Sequence, residues 1–265
     1  MKINGKDFTI GADPEVFVQH NNKFVSAHDL VPGDKENPFL VPKGAVQVDG
    51  MALEFNIDPA SSYEEFQDNL TSVQDTLAGM IGDKKFLKDV TVNFDEEFSQ
   101  SVPAFNRVLG CSADYNGWTG KENDSPDGDQ MKRTAGGHVH IGGFTSKDPF
   151  NPNHYKNCAR LSRILDHTLG AYSILWDKDD ERRSMYGQAG SFRPKTYGME
   201  YRTLSNAWIF DEKLTKFVYE SVQRALELMF VRGYEPDEQA RNIINNSDRN
   251  SSFFKGNPLA LGLAA

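Results

Sequence analysis

Asp13 and Glu15 stand two residues apart in FTIGADPEVFVQ, a stretch whose β-branched and aromatic residues predict a strand. Alternation along a strand puts Asp13, Glu15 and Phe17 on one face and Ala12, Val16 and Val18 on the other. Two carboxylates about 7 Å apart on one face repel each other, so a covered face calls for something positive between them. The pattern recurs along the chain. In DGMALEFN, Ala52, Glu54 and Asn56 share a face opposite Leu53, Phe55 and Ile57; GGHVHIGGF sets His138 and His140 opposite Val139 and Ile141; GMEYRTLS sets Glu200 and Arg202 opposite Tyr201 and Thr203. Taken singly, each element fits a solvated strand face. Four strands that all place charge opposite an apolar face point instead to one concavity able to hold divalent cations. Carboxylate oxygens suit Mg²⁺ and Mn²⁺, and an imidazole tolerates Mn²⁺. The candidate metal ligands are therefore Asp13, Glu15, Glu54, His138, His140 and Glu200, with the choice between the two histidines open.

Between the histidines and Glu200 lies ERRSMYGQAGSFRPKTYGMEYR, which carries Arg182, Arg183, Arg193, Lys195 and Arg202 among Gly187, Gly190 and Gly198. Cations on a glycine-punctuated loop suit a bound polyphosphate, with metals bridging its oxygens. Arg183, Arg193, Lys195 and Arg202 are the candidate phosphate ligands. No G-x-x-x-x-G-K-S/T occurs, which excludes a P-loop, and no G-x-S-x-G occurs, which weakens a nucleophile-elbow hydrolase.

The elements that must position these groups are legible in outline. NNKF predicts a hairpin turn after the first strand, and VSAHDLVPGDKENPFLVP reads as a loop or lid. GAVQVDGMALEFNIDPA predicts a strand pair turning at Asp49-Gly50. SSYEEFQDNLTSVQDTLAGMIG predicts a helix capped by Ser61 or Ser62, with Phe66, Leu70, Val73, Leu77 and Met80 as its stripe. FLKDVTVNF reads as one strand, and the polar, glycine-rich segment 99–137 as a long functional connection. PNHYKNCARLSRILDHTLGAYSILW predicts a long helix, GMEYRTLSNAW a strand, and DEKLTKFVYESVQRALELMFVRG a helix between Asp211 and Gly233; the tail from 250 reads as weakly structured. Charged strands and striped helices predict an α+β fold, a mainly antiparallel sheet with helices packed on one face, as one domain over 1–265.

Bulk properties bound the partners. A chain of 265 residues can bury a full core, and 18 phenylalanines predict an aromatic-rich one. The net charge of −9 argues against nucleic acid bound through a basic face. Cys111 and Cys158 show no pairing signature and read as reduced thiols in a cytoplasmic setting. Lys2, Lys6 and Asp7 interrupt any opening apolar run, and no stretch of about 18 apolar residues occurs, so neither a signal peptide nor a membrane span is expected.

GADPEVFV, DGMALEFN, GC-x-x-DYN-x-W, GGHVHIGG and FRPKTYGMEYRTLSNAW, in that order, resemble the phage phiEco32-like COOH–NH2 ligases (amidoligases, type 2) of the glutamine synthetase and glutamate–cysteine ligase superfamily. The resemblance covers roughly residues 8–210. It implies a curved, glutamine synthetase catalytic-domain-like sheet that holds two or three Mg²⁺ or Mn²⁺ ions, with ATP, a carboxylate and an amine as partners. It further implies that ATP phosphorylates the carboxylate and the amine attacks the acyl phosphate, in the host cytoplasm if the chain is phage-encoded. By the resemblance, Asp13 and Glu15 match the opening acidic pair, Glu54 the second-strand carboxylate, His138 or His140 the histidine ligand, and Glu200 the acid of an E-x-R pair. Arg202, Arg193 and Lys195 fall where phosphate-binding cations are expected, and Arg202, Arg193 and Glu54 are the expected catalytic groups. The chain is short and has no obvious match to the glutamate- and ammonia-binding loops of glutamine synthetases. Rival expectations are a nucleotide-independent metal enzyme with His138, His140 and one acid as a facial triad, a related phosphotransferase, and a non-enzymatic phage protein that kept the fold.

Overall fold

The computed structural model describes residues 1–103, 114–124 and 131–255. Its spine is strand β3 (Thr9–His20), 12 residues long. Short strands β1 (Lys2–Ile3) and β2 (Lys6–Asp7) precede it, and β4 (Lys23–Val25) folds back on its end. Asn21 and Asn22, at φ 50° and 61°, make the two-residue turn of that hairpin. Strands β5 (Phe39–Val41), β6 (Gly44–Asp49) and β7 (Ala52–Ile57) follow as a meander, then β8 (Lys85–Leu87), β9 (Thr91–Asn93), β10 (Tyr115–Asn116), β11 (Lys132–Thr134), β12 (Gly137–Gly142), β13 (Ser191–Lys195) and β14 (Gly198–Tyr201). The main sheet runs β10-β13-β14-β12-β3-β7-β6-β5, with β4 and β8 also paired to β3, and every ladder in it is antiparallel. The architecture is α+β.

The sheet's apolar face buries Ala12, Val16, Leu53, Phe55, Val139, Ile141 and Met199 in one large core. The helices close it: α1 (Tyr63–Ile81) against β6 and β7, α3 (Pro152–Leu165) against β13 and β14, and α6 (Glu212–Phe230) across both helices. Ser62 caps α1 by accepting from the Glu65 amide at 3.2 Å, and Asp211 caps α6 the same way through the Lys213 and Leu214 amides. A smaller cluster of Phe17, Met51, Ala52, Val92, Phe94, Val102 and Ala135 takes the other face beyond Glu15, with α2 (Glu96–Ser101) beside it. Among the described residues, no helix is long and apolar enough to cross a membrane.

Several elements differ from expectation. FLKDVTVNF is two strands, because β8 pairs with β3 while β9 leaves to pair with β11. The strand expected over 198–208 stops at Tyr201, and Ser205 then caps a 3-10 turn over Asn206–Phe210. The long helix is continuous from Pro152 to Trp176 but carries a π-helical segment, Asp166–Gly170, before α4 (Ala171–Trp176). The expected basic loop is a short helix, α5 (Asp180–Met185), followed by β13. Cys111 and parts of the 99–137 connection and of the tail fall outside the described residues; Cys158 is a free, buried thiol.

Candidate active site

Strand register assembles the polar face. Asp13 stands opposite His138, Glu15 opposite Glu54, and Glu54 in turn opposite Gln47. His140 stands opposite Glu200, which stands opposite Arg193. The four strands that carried charge in the sequence are thus contiguous, in the order β14, β12, β3, β7. Behind them, alternation sends their neighbours into the core.

Glu200 is wholly buried, at 0% exposure, and is surrounded by cations. Arg202 hydrogen-bonds its Oε1, while Arg193 and Lys195 lie 3.4 and 2.9 Å from its Oε2. Burial pushes its pKa up, but Arg202 and the two histidines outweigh that and hold it well below the ordinary value. Arg202 also donates to Asp114 Oδ2 and to His138 Nδ1, each at 3.3 Å. Burial alone would weaken its charge, yet Glu200, Asp13 and Asp114 raise its pKa. Asp13 is likewise lowered on balance, since the attraction of His140 and His138 exceeds the cost of burial. Burial lowers His138, helped by Arg202, whereas Asp13 raises His140 in spite of burial.

The other end of the row is acidic. Burial, then the charge of Asp49, pushes Glu15 up to about 7. Burial with Asp13, Glu15 and Asp49 nearby holds Glu54 well above the ordinary range. Gln47 Nε2 donates to Glu54 at 3.0 Å, the Gly136 amide donates to Glu15 at 2.7 Å, and Lys35 sits 2.8 Å from Asp49.

Two groups offer ligand atoms all within 4.8 Å of one another: Asp13, His140 and Glu200, and Glu15, Asp49 and Glu54. The donor chemistry fits a hard divalent cation, oxygen-rich with one imidazole. His140 Nε2 lies 2.9 Å from Asp13 Oδ2, and His138 Nδ1 3.4 Å from Asp13 Oδ1. Even so, Asp13 Oδ1 and His140 Nε2 are buried with no hydrogen bond of good geometry. Atoms left in that state are what a cation satisfies. The second group fits for a different reason: burial and the neighbouring acids hold the Glu15 and Glu54 carboxyls protonated at pH values where exposed acids ionise. In the first group an ion at Glu200 Oε2 has to displace Lys195 and Arg193.

The spacing of two divides these residues between two cavities at opposite ends of the strands. One is narrow, 80 Å³, and is lined by Glu15, Asp49, His138 and Asp114 with the cations Lys35, Lys132, Arg133, Arg182 and Arg202. The other, 470 Å³, is lined by Asp13, Glu54, Asn56, His140, Thr145 and Tyr197 among others. Asp13 and Glu15 therefore open in different directions, as do His140 and His138.

Of the residues expected at phosphate, only Arg202 lines the cationic cavity. Arg193 and Lys195 turn onto Glu200. Arg183 is not brought to the site at all: α5 points it at Asp177 and Asp180, 3.4 and 3.0 Å away. Its neighbour Arg182 does reach the cavity wall, with its guanidinium donating to the Thr203 and Leu204 carbonyls and burial drawing its pKa down to about 10.

Three further residues went unread in the sequence. The Asp49-Gly50 dipeptide predicts a turn, but Asp49 pairs with Ala52, so Gly50 and Met51 make the turn and Asp49 closes the strand on the site face. Asp114 belongs to the DYN motif and meets Arg202 from β10's leading edge. Tyr197 sits in the β13–β14 turn, with its hydroxyl bonded to His140 Nδ1. A hydrogen bond there fixes the ring's orientation and leaves Nε2 facing Asp13.

No curated protein matches the chain. Residues 130–261 match the family model described as phage phiEco32-like COOH.NH2 ligase-type 2. That stretch holds His138, His140, Arg193, Lys195, Glu200 and Arg202, and the β3–β12 and β3–β7 ladders bring Asp13, Glu15 and Glu54 to it from outside. Over residues 130–261 the chain is similar to the phage phiEco32-like COOH–NH2 ligase type 2 family.

Proposed function

We propose that the chain is an ATP-dependent carboxylate–amine ligase that forms an amide through an acyl phosphate. The observation that carries this reading is the row of carboxylates and one imidazole that ends, at one side only, in a cleft with five cations. The ligase family of residues 130–261 supports the same chemistry.

The narrow cleft suits a phosphate group rather than a whole nucleotide, and Lys35, Lys132, Arg133, Arg182 and Arg202 offset its charge. A substrate carboxylate oxygen attacks the γ-phosphorus there, and the bond from that phosphorus to the β-γ bridging oxygen breaks to release ADP. Arg202 is held on both flanks, by Glu200 and Asp114, so its fork is already oriented toward charge that builds on the transferred group. The amine nitrogen then forms the C–N bond, inorganic phosphate leaves with its oxygen, and the ammonium proton is lost. Asp13, His140 and Glu200, and separately Glu15, Asp49 and Glu54, would hold Mg²⁺ or Mn²⁺, which supplies charge neutralisation between phosphate and carboxylate.

The facial-triad alternative needs both histidines on one ion. His138 and His140 line different cavities, and His138 Nδ1 faces Arg202, which disfavours it. The test is ADP release with Mg²⁺ or Mn²⁺ across a pool of carboxylic acids, with hydroxylamine present to trap acyl phosphate as hydroxamate. Metal-dependent hydroxamate supports the ligase. ADP release without hydroxamate from any acid moves the assignment to a phosphotransferase, and no nucleotide turnover at all removes it.

A further inference from the structure

Asp114 flanks Arg202, and Asp114 is itself held. Its Oδ2 accepts from Arg202 Nε at 3.3 Å, and its Oδ1 accepts from Asn123 Nδ2 at 2.9 Å. Both oxygens are engaged, so the carboxylate cannot swing without giving up one of them. Asn123 is oriented in turn. Its Oδ1 accepts from Asn116 Nδ2 at 3.1 Å, which leaves its own Nδ2 to face Asp114 and, at 3.1 Å, Ser191 Oγ. Asn116 can point only one way, because its Oδ1 accepts the Trp118 and Thr119 amides at 2.9 and 3.2 Å. The far end of this relay is anchored behind the sheet, where the Trp118 indole donates to Asp166. Backbone pairing fixes its two ends against each other. Asn116 pairs with Ser191 across β10 and β13, and the Arg202 amide donates to the Ser191 carbonyl at 2.9 Å.

We propose that Asn123 is a positioning residue for Arg202, holding Asp114 so that the guanidinium stays turned into the cationic cleft. Asp114 and Arg202 line that cleft and Asn123 does not, so Asn123 acts only through Asp114. A guanidinium carries its donors in a rigid fork, and the direction of one N–H sets the direction of the rest. With Nε on Asp114 and a terminal nitrogen on Glu200, the fork has one orientation. Once Asp114 is released, Arg202 keeps its charge and its Glu200 contact but can turn about that contact. Groups that hold a metal-binding side chain from behind contribute about 10- to 100-fold to affinity, and the same geometry applies to an arginine that receives an anion. Arg202's part in phosphoryl transfer rests on the ligase reading; its orientation does not.

The test is NMR of the Arg202 Nε–Hε pair in the full chain in excess Mg²⁺, assigned by its loss in Arg202→Lys, with inorganic phosphate titrated as the probe. Asn123→Ala and Asn123→Leu remove the side-chain bonds, the second at similar volume. The Asn123 amide still donates to the Asp114 carbonyl in both, and the Asn116 amide to that of Lys121, so the hairpin keeps its backbone bonds. Each variant should speed exchange of Hε with water about tenfold and weaken phosphate binding about tenfold. Ser191→Ala removes the other partner of Asn123 and should leave both readouts at wild-type values. A purely structural tie between the 114–124 segment and β13 would respond to Ser191→Ala as strongly as to the Asn123 variants, and that result overturns the proposal. So does an unchanged Arg202 signal or an unchanged phosphate affinity in both Asn123 variants, or wild type that binds no phosphate. Loss of the dispersed amide spectrum in both Asn123 variants assigns the residue to folding and overturns it as well. No arm contains nucleotide, so a failure here falls on Asn123, while the ADP and hydroxamate measurement judges the ligase.

Discussion

Glu15 and Glu54 are direct cross-strand partners on the β3–β7 ladder, two acids at the closest pairing a sheet allows. Like charges so placed destabilise a sheet. Burial raises both, and Asp49 adds a third carboxylate to the same spot. Nothing in packing requires three acids there, since the apolar side of both strands already fills the core. The arrangement has a purpose only if positive charge is brought to it.

Nucleotide binding should therefore need a divalent cation. A triphosphate in the cleft faces Glu15, Asp49 and Asp114, each repulsion costing about 1 to 4 kcal/mol at 4 Å in a medium between water and protein surface. Calorimetry in excess Mg²⁺ should show ATP binding that EDTA abolishes. The same affinity in both conditions would falsify the metal reading of this row.

Asp49 gives that reading a local test. Asp49→Asn keeps the size and leaves Glu15 and Glu54 in place. The Mg²⁺ concentration for half-maximal ADP formation should rise at least tenfold, a typical response to a weakened metal shell. An unchanged requirement would limit Asp49 to its contact with Lys35.

Arg202→Ala should slow ADP formation on the order of 10²- to 10³-fold, as for loss of a transition-state donor. Arg202→Lys keeps charge but reaches Glu200, Asp114 and His138 with a single nitrogen, so it should recover little. Turnover near wild type in Arg202→Lys would mean that the arginine only neutralises Glu200.

A buried carboxylate behind the sheet sets a pH dependence of stability. Asp166, in the π-helical segment, accepts from Tyr201 at 2.7 Å and from Trp118 at 2.5 Å, yet burial pushes its pKa up to about 7. The folded state thus holds a proton that the unfolded chain has already released above about pH 4. Wild type should lose stability relative to Asp166→Asn as pH rises from about 4 to 7, by up to about 4 kcal/mol, and the difference should level off above 7. Denaturant midpoints across that range measure it. A difference that grows in the other direction, or none, would show Asp166 ionised in the fold.

Much of the site was readable because strand periodicity is local. D-x-E, H-x-H and E-x-R each fix two side chains on one face whatever the partners are, and apolar residues between them fix which face is covered. Asp13, Glu15, Glu54, His138, His140, Glu200 and Arg202 could be placed on that ground, together with α1, α6 and the α+β class.

What the chain's sequence left open was decided by pairing and by chain reversal. Register is long-range: that Glu15 meets Glu54, and His140 meets Glu200, depends on which strands become neighbours and with what offset. Asp49 depended on a hairpin turn that begins one residue later than Asp-Gly suggests. Arg183 was misjudged because helix α5 replaces a loop, and a helix sends adjacent arginines about 100° apart, so Arg182 reaches the cleft and Arg183 does not. The division of alternate strand residues between a cation-lined cleft and an acidic cavity exists only once both ends of the sheet are closed by segments far apart in sequence. Local alternation determined which side chains share the polar face; only the tertiary structure decided what each of them faces, because that is set by backbone pairing over distances no local pattern encodes.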